Sequence, residues 1–144
     1  MLRRALLIIV LPAASIAAAC GNNQIPTTPS SIIPTRSNEI FGGTLAPGDS
    51  QFYSFSVAQS GPTDVTLLSL RPAGVATSTL NIVVGIGLGT PAGTGCALSS
   101  AINTAPGLTK QLSATTNVNT YCVKIADIGN LMGAVDYTVR ILHF

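Results

Sequence analysis

Polar and apolar side chains take turns along most of the chain beyond residue 39. QFYSFSV (51–57) sets Tyr53, Phe55 and Val57 on one side and Ser54 and Ser56 on the other. TYCVKIAD (120–127) sets Tyr121, Val123 and Ile125 against Lys124. VDYTVRIL (135–142) sets Val135, Tyr137, Val139 and Ile141 against Asp136, Thr138 and Arg140. TDVTLLSL (63–70) is rich in β-branched residues and Leu. A repeat of two marks strands with one buried face, and no stretch here holds a period near 3.6. LAPGDS (45–50), with Pro47 and Gly48 at its centre, reads as a turn. The pattern predicts an all-β chain.

TLNIVVGIGLG (79–89) tests the reading, because its glycines resemble a phosphate-binding loop. At period two, Leu80, Ile82, Val84, Ile86 and Leu88 share one face, while Asn81, Val83, Gly85, Gly87 and Gly89 share the other. The glycines keep the strand's alternation, which a phosphate loop would break. Gly87, Gly89 and Ala92 satisfy G-x-G-x-x-A, but TPAGTGC reads as a turn where a helix should open. No acid lies between Asp64 and Asp127 to meet a ribose, and no Gly-Lys-Ser/Thr follows. The stretch is expected to be a strand with a low, flat glycine face. Either a neighbouring group packs closely on Gly85, Gly87 and Gly89, or they form a shallow ligand surface.

The first residues have a different organisation. Arg3 and Arg4, an apolar run over Ala5–Leu11, and small Ala17–Ala19 before Cys20 form the three parts of an export signal. The run is too short for a spanning helix. Ala17-Ala18-Ala19 suits ordinary signal peptidase. The cysteine that follows resembles a bacterial lipobox, with Ala17 where Leu is usual, and that resemblance implies a diacylglyceryl group on Cys20. Gly21, in place of a retention Asp, implies the outer membrane on the same resemblance. Residues 1–19 are then a signal helix and 20–38 a disordered tether, its Asn, Thr and Ser broken by Pro26, Pro29 and Pro34. The folded domain is expected over 39–144.

Without Arg3 and Arg4, five basic side chains face five acidic ones. No basic stripe follows a phosphate backbone, so nucleic acid is not an expected partner. Three cysteines leave one odd. In an oxidising compartment Cys96 and Cys122 pair, and a lipid takes up Cys20. A loop of about 26 residues closed this way contributes on the order of 3 kcal/mol.

FGGTLAPGDSQFYSFSV (41–57), Gly87 to Pro91, and YCVKIADIGNLMGAVDYTV (121–139) together resemble the bacterial pre-peptidase C-terminal domain family. The resemblance covers nearly all of 39–144. It implies an antiparallel β-sandwich of jelly-roll type and a mostly non-catalytic role, with collagen, polysaccharide or calcium bound by some members.

Candidate chemistry is sparse. His143, the only histidine, is expected to end a strand at the surface, and no G-x-S-x-G is present. Asp49 and Asp127 sit where an Asx side chain bonds its own turn. One cofactor reading remains: Asp127, Asn130 and nearby carbonyls as part of the six to eight oxygens calcium takes. No catalytic residue is expected. Two roles follow: an envelope binding or adhesion module for glycan or protein, using the glycine face and any exposed Tyr, or an accessory protein packing against a partner.

Overall fold

The computed structural model describes residues 34–144; the expected signal segment, Cys20 and most of the tether lie outside the described residues. Eight strands follow one another: β1 (Ser37–Leu45), β2 (Ser50–Val57), β3 (Gly61–Pro72), β4 (Val84–Ala92), β5 (Gly95–Thr104), β6 (Leu112–Thr116), β7 (Asn119–Ala126) and β8 (Val135–His143). They form two antiparallel sheets of four, in the orders β1-β8-β3-β6 and β2-β7-β4-β5. The described residues contain no helix.

Alternation decides which faces meet. Val135, Tyr137, Val139 and Ile141 of β8 join Val65, Leu67 and Leu70 of β3 from one sheet. Phe55, Val57, Val84, Ile86, Leu88, Val123 and Ile125 come from the other. All belong to one buried cluster, so the two sheets make a β-sandwich around a single apolar core. Burying that apolar surface is the main force holding the sheets together.

The Leu67-Leu68 doublet in β3 breaks the alternation. The register with β8 shifts between Leu67 and Ser69, leaving Leu68 as the extra residue of a bulge. Leu67 before the bulge and Leu70 after it both stay fully buried.

β4 differs from its expected range. Pairing begins at Val84, five residues later than the alternation starts, and continues through Pro91 to Ala92. Leu80 and Ile82 lead into the strand and still pack against the core. The Leu80 amide donates to the Leu70 carbonyl at 2.8 Å. TPAGTGC is mostly strand as well. The chain reverses at Gly93-Thr94 alone, with Ala92 paired to Gly95 and Gly93 at φ +56°. Glycine at the first of two hairpin residues is the II′ pattern.

The fold also reaches into the expected tether. β1 starts at Ser37, opposite His143, two residues before the anticipated boundary. Arg36 is docked on the sandwich: its guanidinium donates to Asp64 at 3.0 Å and to the carbonyls of Pro62 and Leu142.

Candidate functional site

The glycine face of β4 is the first place to look. Gly85, Gly87 and Gly89 do lie on the face away from the core, opposite Ala126, Lys124 and Cys122 of β7. The space they leave is taken by the chain's own atoms. A Cβ on Gly89 would stand 1.9 Å from the Ala97 carbonyl oxygen, one on Gly87 2.6 Å from a Leu98 methyl, and one on Gly85 3.2 Å from an Ile128 methyl. A bulge explains the crowding: Gly89 pairs with Leu98 and Leu88 with Ser100, so Ser99 is extra and its hydroxyl bonds the Leu88 carbonyl. Of the two alternatives, close packing is the one realised. A groove of about 110 Å³ is left beside Gly85 and Gly87. Cys96 and Cys122 close the same face as a disulfide, with Cα atoms 5.9 Å apart.

Asp127 and Asn130 are both bonded to the protein's own backbone. One Asp127 oxygen accepts the amides of Gly129, Asn130 and Leu131, and the other accepts the Gly48 amide at 2.8 Å from the loop before β2. These bonds, led by the one from Gly48, lower the Asp127 pKa below its ordinary value. The Asn130 side-chain amide donates to the Val83 carbonyl. Asp127 thus ties two turns together as an Asx knot. Among the described residues no three His, Cys, Asp or Glu side chains converge as a metal cluster would require.

His143 is not at the surface. It ends β8 on the core side, 2% exposed, with its ring 4.9 Å from Phe55. Its Nε2 meets a Glu39 carboxylate oxygen at 2.9 Å and its Nδ1 the Phe144 carbonyl at 3.1 Å. The alternation of VDYTVRIL extended by one step would have placed it inward; its polarity argued the other way. The second Glu39 oxygen accepts the Tyr53 hydroxyl at 2.9 Å. A row Tyr53–Glu39–His143 therefore runs from the surface into the sandwich.

That row borders an opening the sequence did not mark. β1 and β2 are the end strands of their sheets. Phe41 of β1 stacks on Tyr53 of β2 with ring centres 4.8 Å apart, and Tyr137 meets Phe41 edge-on at 6.1 Å. Between residues 42–44 and 51–53 lies a groove of about 480 Å³, with Phe41 and Tyr137 against it. Gly43 makes room for the Tyr137 ring: the two residues pair, and a Cβ on Gly43 would touch the Tyr137 hydroxyl at 3.0 Å. Phe52 is 43% exposed and Tyr53 37%. Ligand sites usually span roughly 300–1,000 Å³ and combine aromatic walls with a few polar groups. This groove lies in that volume range, has aromatic residues along it, is open to solvent, and is lined about equally by polar and apolar surface. A cleft of about 230 Å³ bounded by Pro72, Leu80, Ile82 and residues 131–135 is smaller and apolar throughout. FGG (41–43) followed by FY (52–53) was the available signal: flat backbone beside aromatic rings. It needed the knowledge that β1 and β2 face one another.

A separate polar cluster lies on the outer side of β3. Asp64 is 8% exposed and accepts from Ser113, from Lys110 at 2.9 Å and from Arg36 at 3.0 Å. Burial pushes its carboxyl up, but the bonds from Ser113, Lys110 and Arg36, with the Arg36 charge, outweigh it and hold it at about 2. Every oxygen there has a partner, so the cluster fastens Arg36, β3 and β6 and offers no open acceptor.

No family model matches the chain, and no curated protein matches it. A solved structure described as "Bacillus endospore appendages form a novel family of disulfide-linked pili" is similar at 15% identity and a TM-score of 0.38, over 76% of this chain and 88% of that one.

Proposed function

We propose that the chain is a non-catalytic cell-envelope protein whose β-sandwich binds a ligand in the groove between β1 and β2. The groove itself carries the reading: about 480 Å³, with an exposed Tyr53, an exposed Phe52 and glycines that keep one wall low. Export fits the Cys96–Cys122 disulfide, since such bonds persist in oxidising compartments. Attachment through a lipid on Cys20, in the outer membrane, completes the reading from the lipobox resemblance. The strand orders β1-β8-β3-β6 and β2-β7-β4-β5 support a jelly roll, the fold implied by the pre-peptidase C-terminal resemblance.

An accessory role has its own support. Leu98 and Ile102 on β5, 44% and 41% exposed, border the small groove on the glycine face, where a protein partner would pack.

A thermal-shift panel on the full chain separates the two. Neutral glycans, organic amines and matrix proteins are each added to the wild type, to Tyr53→Leu and to Leu98→Asp. A ligand specific to the native state raises the melting point. The binding reading expects a rise that Tyr53→Leu abolishes. A rise that survives Tyr53→Leu and vanishes in Leu98→Asp overturns it in favour of the accessory role.

A further inference from the structure

The groove between β1 and β2 has a charge of its own. Three carboxylates stand behind its lining, each bonded to a side chain that borders it. Glu39 holds the Tyr53 hydroxyl, Asp136 accepts the Thr44 hydroxyl at 2.7 Å, and Asp49 accepts the Gln51 amide at 3.1 Å. Among the described residues no charged side chain of either sign lines the groove itself. The nearest cations by strand register are Lys124, opposite Phe52, and Arg71, opposite Asp136, while His143 meets Glu39 from the core side. Aromatic rings add to the field, because their faces are the negative pole of a quadrupole. The two phenols respond in the same direction. The Tyr53 pKa is raised by its bond to Glu39 and by that charge, and the Tyr137 pKa by burial and by the charge of Asp49.

Charge complementarity sorts the possible ligands. An anion would meet three like charges. A neutral sugar would use the rings and leave the carboxylates idle. A small organic cation uses both, through ring faces within about 6 Å and through Coulomb attraction at the rim.

We propose that the groove binds an alkylammonium group, resting on its being the ligand site. The exposed rings of Phe52 and Tyr53 meet the methyl or methylene groups, Phe41 and Tyr137 back Tyr53, and Glu39, Asp49 and Asp136 balance the charge from behind the lining.

Calorimetric titration of the full chain with choline, and with 3,3-dimethyl-1-butanol as its neutral analogue of the same shape, tests this. Choline is expected to bind at least about tenfold more tightly than the alcohol, as charge on an aromatic face requires. Tyr53→Leu should weaken choline by about tenfold, while Tyr53→Phe, which keeps the ring, should stay within about threefold. Raising the salt from 0.05 to 0.5 M should weaken choline several-fold in the unmodified protein, a readout that needs no variant to fold. Equal binding of both compounds, or no choline binding, overturns the proposal. If a neutral glycan stabilises the wild type but not Tyr53→Leu, the groove remains the site and the cation is wrong. If no ligand depends on Tyr53, both readings fail.

Discussion

β1 and β4 both carry glycines inside a strand, and the two places are covered to different extents. In β4, Gly85, Gly87 and Gly89 have a strand on either side, β7 and β5. The bulge in β5 brings Leu98 and the Ala97 carbonyl down onto them. In β1, Gly42 and Gly43 belong to a strand paired on one side only, with β8. Here β8 alone closes on them: a Cβ on Gly42 would stand 2.7 Å from the Tyr137 carbonyl and one on Gly43 3.0 Å from its hydroxyl, while the side toward Tyr53 stays open. A glycine in a strand only removes a side chain. Whether the vacancy becomes packing or a site depends on whether a neighbouring strand is there to fill it.

The contrast is sharpest in substitutions. Gly89→Ala forces a Cβ against a backbone carbonyl that cannot swing away, and should cost about 3 kcal/mol or more, read as a fall in the denaturant midpoint. Equal stability of Gly89→Ala and wild type would break the account of the β4 face. Next is the disulfide, which ties the start of β5 to β7 across a sequence separation of 26. Reducing it should cost on the order of 3 kcal/mol and lower the melting point, while the groove at β1 keeps its ligand.

Acid probes the fastening of β1 itself. Asp64, held at about 2 against an ordinary 3.8, grips Arg36 just before that strand. A lowered carboxyl pKa gives stability that is complete above the unfolded value and is lost as the pH falls from about 4 through 2. With Arg36 and Lys110 partly in water, the loss should be about 1–2 kcal/mol, absent in Asp64→Asn. The smallest effect belongs to Gly43→Ala. The buried Tyr137 ring has to give by only a few tenths of an ångström, so stability should change by about 1 kcal/mol while ligand affinity falls.

Much of this fold could be read in the sequence, because burial on one face leaves a period of two. That holds for β2, β4, β7 and β8, while β3 shows itself by its β-branched and Leu-rich composition, and the pairing of Cys96 with Cys122 follows from counting thiols in an exported chain. β1, with its two glycines and mostly exposed length, is not marked by alternation, and neither are β5 and β6. GCALSSAINT is exposed along most of its length and LSATT has only five residues, so neither had a continuous apolar face to show. His143 follows the alternation of its strand into the core, against what its polarity alone suggests. The groove was hidden for a different reason: it is made by Phe41, Tyr53 and Tyr137, brought together by the meeting of two end strands and by no local pattern.

Ring resonances of the three tyrosines during a choline titration test the central claim most directly. Tyr53 and Tyr137 border the groove, whereas Tyr121 packs on Phe55 and accepts the Asn117 amide. The account predicts shifts in Tyr53 and Tyr137 with Tyr121 still. Shifts at Tyr121 or at the amides of Gly85 and Gly87, with Tyr53 unmoved, would contradict it.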